Sequence, residues 1–165
     1  MAYSGEKAAG YAYSSHWRSL KPSEERTRLQ LIESEEWTHR AIVGRMLQDL
    51  NDRPQLWREI LMATIGRSVG MACFFIGRFL PMYFAGKLEA DNIQEYAHAS
   101  YHAAQLGLEA YSSELMNLCE VEKQHELFFI GAVRGHKLLP LMRSIFRWGP
   151  PPESVAVGAG RRKDE

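Results

Sequence analysis

Apolar residues recur along this chain at alternating spacings of three and four, the period of helices that bury one face. One such stripe runs through "IESEEWTHRAIVGRML", Ile32 to Leu47, and takes in Leu29, Ile32, Val43, Met46 and Leu50. Its two middle positions are filled by Glu36 and His39. A second stripe, in "GLEAYSSELMNLCEVEKQHELFFIGAV", runs Leu108, Tyr111, Leu115, Leu118, Glu122, His125, Phe129, Ala132. Here too a Glu-x-x-His pair stands in consecutive seam positions. Two shorter series share the spacing: Glu6, Ala9, Tyr13, His16, Leu20, and Glu89, Ile93, Tyr96, Ser100.

Strand-like alternation is absent, so the pattern predicts an all-α chain of five or six helices. Pro22-Ser23-Glu24-Glu25 reads as a helix start, with Ser23 as N-cap and acids in the first turn. Asn51-Asp52-Arg53-Pro54 reads as a stop and a turn. Pro81 and Gly86 are expected to punctuate an apolar segment, Gly107 to divide two helices, and Gly135 and Pro140 to bound a last short one. The expected domain spans residues 1–148. Residues 149–165, "GPPPESVAVGAGRRKDE", have no periodicity and are expected to be a disordered tail, with Arg161, Arg162 and Lys163 as a solvated end.

Composition narrows the function. With 45% hydrophobic residues in 165, the chain can build one real core. Twenty basic and twenty acidic residues balance, and no nucleic-acid motif is present, so nucleic acid is not an expected partner. Cys73 and Cys119 are isolated and lack zinc-ligand spacing, so they read as buried thiols. "MAYSGEKAAG" has no apolar signal core, so a cytoplasmic location is expected. In the apolar segment Ile60 to Gly86, the charge-free run Ser68 to Gly77 is too short to cross a bilayer. That segment suits a core helix. It also suits a membrane surface, with Arg67 and Arg78 at headgroup level and Phe74, Phe75, Phe79 and Leu80 dipping in.

The polar seam positions carry the chemistry. An ionised carboxylate buried without a partner costs several kcal/mol, so two Glu-x-x-His pairs in one small core need compensation. A pair of divalent metal ions supplies it. In ferritin-like di-metal bundles two helices each give Glu-x-x-His and two others each give one Glu. Glu6 is the only acid before Pro22 and is the candidate from the first helix. For the remaining helix, spacing leaves Glu89 and Glu95 open. They are six residues apart, roughly 120° around a helix, so both cannot aim at one centre. An N-cap at Asp91 would leave Glu89 outside a helix. Glu95, which opens a third Glu-x-x-His, shares its own face with His98 and His102. Two readings compete with a redox enzyme: an iron-handling or peroxide-scavenging protein with the same ligands, and a helical adaptor whose buried Glu–His pairs hold no metal.

The order Glu6, Glu36-x-x-His39, a lone Glu, Glu122-x-x-His125 resembles the demethoxyubiquinone hydroxylases, ferritin-like di-iron monooxygenases. "SGEKAAGYAY" looks like the family's first ligand motif. "IGRSVGMACFFIGRFLPMYFAGKLEADNIQEY" is similar to its Gly-rich apolar stretch running into the third carboxylate and a later Tyr. That register puts the lone ligand on Glu89 and the Tyr on Tyr96. The likeness covers roughly residues 3 to 148. It departs from the family in lacking a basic, His-containing stretch before the first Glu, and in carrying Gln94 and Glu95 where the family tends to have histidines.

The resemblance implies a ferritin-like four-helix bundle with one or two additional helices. It implies two iron ions, in a ligand set that also accommodates manganese. Glu36 and Glu122 would bridge, Glu6 and Glu89 would be terminal, and His39 and His125 would serve one ion each. Tyr13 and Tyr96 would stand beside the centre, for hydrogen bonding, substrate gating or core packing. The implied activity is O2-dependent hydroxylation of a quinone-type ring, fed by an external electron donor, since no dinucleotide fingerprint occurs. A membrane-dissolved substrate would bring the membrane-surface reading of residues 60–86, on the inner face of the cell membrane, level with the core-helix reading. An oligomer is compatible with the sequence.

Overall fold

Among the described residues, six helices, α1 Ala2–Ser19, α2 Glu24–Asp49, α3 Leu56–Ala72, α4 Phe79–Gln105, α5 Glu109–Val133 and α6 Leu139–Phe146, make up the fold. The structure, a computed structural model, describes residues 2–150, and no strand occurs among them. Ser23 caps α2 as expected: its hydroxyl accepts from the Arg26 amide at 3.2 Å, and Glu24 and Glu25 follow in the first turn. Asn51, at φ 54°, closes the turn after α2, and Gly107, at φ 71°, joins α4 to α5.

Pro81 and Gly86 do not break the apolar segment, contrary to their reading as punctuation. Both lie inside α4. Pro81 falls in the first turn, where its missing N–H is not needed. Gly86 is small because Trp148 and the Phe129 side chain press on it, and a Cβ would collide with both. The break comes earlier, at Gly77, whose φ of 74° ends the turn after α3. Asp91 is likewise interior to α4 rather than its cap, so Glu89 stands on a formed helix.

Helix α1 packs antiparallel to α2 and parallel to α3, while α4 packs antiparallel to α5. The α1/α2 pair faces the α4/α5 pair across a wider gap, α1 opposite α4 and α2 opposite α5. Two apolar clusters close the ends of that gap. One holds Leu29, Ile32, Met82, Tyr83 and Phe129; the other holds Met46, Ile93, Leu115 and Leu118. Polar seam residues fill the middle.

Helix α3 fixes α1 in place. Gly66 meets the backbone of Ala8, and Gly70 meets Ser15 and the Tyr11 carbonyl, so close that neither has room for a Cβ. At the start of the same contact Glu59 accepts from Ser4 at 2.7 Å, Lys7 at 3.0 Å and Arg40 at 2.6 Å. Burial raises the Glu59 pKa, but these three donors outweigh it and hold the carboxyl down at about 2.

The other side of α3 is exposed and apolar: Trp57, Ile60, Ile65, Val69 and Met71 face outward, and Phe75 beyond it is 80% exposed. The segment thus packs one face and leaves the other open, and of the four residues expected to dip into a membrane Phe79 is instead buried in the core and Leu80 packs against it. No helix among the described residues is long and apolar enough to cross a membrane. Trp148 folds back on the core, its carbonyl accepting from the Tyr83 hydroxyl at 2.8 Å and its indole donating to Glu126 at 2.8 Å. Pro150 is also buried. The rest of the expected disordered tail, 151–165, lies outside the described residues.

Candidate metal centre

All six seam residues named as metal ligands converge in the middle of the bundle, and each is buried: Glu6 from α1, Glu36 and His39 from α2, Glu89 from α4, Glu122 and His125 from α5. They form two overlapping groups, Glu6–Glu36–His39–Glu122 and Glu36–Glu89–Glu122–His125. Within each group one ligand atom per residue lies within 4.8 Å of the others. Glu36 and Glu122 belong to both. The i, i+3 spacing makes this possible, since it puts both side chains of a pair over the same turn.

His39 Nδ1 lies 3.0 Å from Glu122. His125 Nδ1 faces Glu122 at 3.3 Å, Glu36 at 3.4 Å and Glu89 at 4.0 Å, yet hydrogen-bonds to none of them. Neither carboxylate oxygen of Glu36 has a hydrogen-bond partner, and one oxygen each of Glu6 and Glu122 also lacks one. Among the described residues, no lysine or arginine pairs with this cluster. Buried polar atoms are normally satisfied, so several orphans this close together form a group that could hold a metal ion.

The electrostatics say the same. Burial, then the neighbouring carboxylates, push Glu36 and Glu89 well above the usual carboxylate range, and burial raises Glu6. Burial also works against Glu122, but contacts from His125, His39 and Glu89 outweigh it and hold its pKa low. Burial lowers the His39 pKa, and Glu122 more than reverses this. Carboxyl groups buried this close together favour keeping protons.

A further shell orients the ligands. The Tyr13 hydroxyl donates to Glu89 and the Tyr96 hydroxyl to Glu6. Burial and these carboxylates drive both phenol pKa values up, so both remain donors. Glu35 was not foreseen from the sequence. It accepts from His125 Nε2 at 2.8 Å and is itself approached by Arg28 at 3.5 Å. A carboxylate only accepts, so Nε2 carries a proton and the ring is held with Nδ1 turned to the cluster. The available signal was an acid directly before Glu36, on the flank of the seam that meets α5. Glu95, His98 and His102 stay on the outer face of α4, and the ambiguity left by spacing ends with Glu89 in the cluster and Glu95 exposed.

Two cavities flank the centre. The one beside Tyr96 is about 310 Å³ and has a polar rim that includes Asp52, Arg53, Arg58 and Glu95. The one beside Tyr13 and Glu89 is about 290 Å³, lies between α1, α3 and α4, and is walled mainly by apolar side chains such as Ala12, Val69, Ile76, Leu80 and Phe84. Comparison with known proteins finds no match: no family model, no curated protein and no solved structure aligns significantly with the chain.

Proposed function

We propose that this helical bundle is a ferritin-like, di-iron, O2-dependent monooxygenase that hydroxylates a quinone-type aromatic ring. The observation that carries the reading is the pair of buried ligand groups joined through Glu36 and Glu122, with their donor atoms left without partners. The donor set fits two iron ions: imidazole nitrogen and carboxylate oxygen suit iron, and manganese by the same chemistry. Glu6 and His39 would serve one ion, Glu89 and His125 the other, and Glu36 and Glu122 both. When bound, reduced iron supplies the electrons that activate dioxygen for insertion of one oxygen atom into the ring.

The chain's own residues do the rest. Tyr13 and Tyr96 hold Glu89 and Glu6 by their hydroxyls, and Glu35 holds the His125 ring in one tautomer. The apolar cavity ends at Glu89, so a ring bound there is brought to the centre and shielded from water. Val69 and Ile76 belong both to that cavity and to the exposed apolar surface around α3. This continuity supports peripheral contact with a membrane, from which an apolar substrate enters. Electrons come from an external donor.

The test is metal content per chain, by mass spectrometry, on protein from iron-supplemented cells, followed by oxygen uptake with quinone analogues. The expected result is about two irons in the parent, fewer in Glu122→Ala, and uptake that depends on the ring. Folded parent that takes up no ferrous iron on reconstitution overturns the proposal. Iron without ring-dependent uptake favours the iron-handling reading instead.

A further inference from the structure

His16 stands one turn beyond Tyr13 on α1, on the wall of the apolar cavity, and is only 3% exposed. The other polar groups on that wall are already engaged. The Tyr13 hydroxyl donates to Glu89, the Asn92 amide to Glu89 at 3.5 Å, and the Cys73 thiol to the Val69 carbonyl at 3.3 Å. His16 Nε2 is the one buried polar atom there, among the described residues, without a hydrogen-bond partner. Buried polar atoms without partners are rare in folded proteins, and one on a residue that lines a cavity of ligand size points to a ligand atom.

The cavity's shape says what kind. About 290 Å³ with mostly apolar walls is at the small end for ligand sites, room for one substituted ring and little more. Three residues of helix advance about 4.5 Å along the axis, on the order of the span of one six-membered ring. A group held at His16 therefore presents its far edge to Tyr13 and Glu89.

We infer that His16 is the polar anchor of this cavity, hydrogen-bonding through Nε2 to an oxygen substituent of an aromatic or quinonoid ring and so setting which edge of the ring faces the metal centre. The inference rests on the proposed function and adds to it a specificity-determining residue. Burial, with Arg78 adding to it and Glu25 opposing, lowers the His16 pKa to about 4, so the ring is neutral near pH 7 and can either donate to a carbonyl or accept from a hydroxyl. A site built to hydrogen-bond an oxygen rejects the analogue that lacks it far more strongly than an apolar wall can sort by size.

Calorimetric binding of 4-methylphenol and of toluene to the full chain tests this, with His16→Leu and His16→Gln beside the parent and metal content measured on each sample. The parent is expected to prefer the phenol by about tenfold or more, His16→Leu to bind the two alike, and His16→Gln, which keeps a donor and an acceptor, to regain most of the preference. A parent without preference, or a His16→Leu protein that keeps it, overturns the inference. Should His16→Leu fail to fold, the imidazole ¹⁵N resonances of His16 in the parent decide: a shift with the phenol and none with toluene supports the anchor, and equal or absent shifts overturn it. Two irons per chain without phenol preference sinks the His16 anchor alone. Phenol preference that depends on His16 in a chain unable to bind iron upholds the anchor and sinks the hydroxylase.

Discussion

Glu35 accepts from Nε2 of His125 at 2.8 Å while Nδ1 of the same ring faces the carboxylates of the centre. One half-buried acid outside the buried cluster thus orients a ring inside it. Glu35→Ala is expected to weaken filling of the iron pair by about 10–100-fold. Ferrous titration followed by optical or calorimetric signal measures the loss.

Because Glu36 and Glu122 belong to both ligand groups, whereas Glu6 belongs to one, substitutions are graded. Glu36→Ala is expected to abolish iron binding, and Glu6→Ala to weaken filling of the pair without abolishing it. In metal-free protein the sign of the effect on stability reverses. Glu36→Leu removes a carboxylate that burial and like charge disfavour, and should leave the fold unchanged or more stable by about 1–4 kcal/mol. Thermal melts of the chelated proteins check this.

The same groups set the pH response. Glu6, Glu36 and Glu89 have pKa values raised above 4.5, and His39 above 6.5. A raised pKa means the folded state holds its proton more tightly than the unfolded chain. That contribution is fully present below the unfolded value and is lost as pH rises through the folded one. Glu122, lowered, acts oppositely, but only as pH falls below about its unfolded value, and His16, lowered to about 4, opposes the four raised groups up to about pH 6.5 without outnumbering them. Chelated protein should therefore melt at a lower temperature at about pH 8 than at about pH 5. Iron-loaded protein should do the reverse, since protons compete with iron for the carboxylates. Parallel trends for the two forms would count against a metal centre here.

Gly66 lies against the Ala8 backbone, which cannot yield as a flexible side chain can. Gly66→Ala is expected to cost about 1–3 kcal/mol and to move α1, and with it Glu6, away from the other ligands. Denaturant midpoints measure the first effect and iron stoichiometry the second.

The helices and the ligand seams were legible because both depend on one period. Glu89, Ile93, Tyr96 and Ser100, placed on a single face by spacing alone, are all buried. Leu50, last in its stripe, is exposed because α2 ends at Asp49 and the turn carries it off the seam. What spacing does not carry is contact between helices. Choosing Glu89 over Glu95 needs the direction of α1 across the gap, and Glu35 gains its role only from the ring of a residue on α5. Pro81 and Gly86 misled for a similar reason. Pro at the start of a helix and Gly beneath a tryptophan look like breaks until their neighbours are known. His16 read as one more seam residue, and its meaning depends on the cavity that α3 completes.

Four carboxylates converge in the centre, and in the proposed di-metal form two divalent cations would balance their charge. A filled core would then be electrically neutral and an empty one can approach neutrality by keeping protons, but a core with a single ion would be left between the two. Because Glu36 and Glu122 belong to both groups, the first ion would strip and orient groups that the second also needs. Occupancy should therefore be close to all-or-none, with half-filled molecules scarce at any iron concentration. The bundle would then count to two.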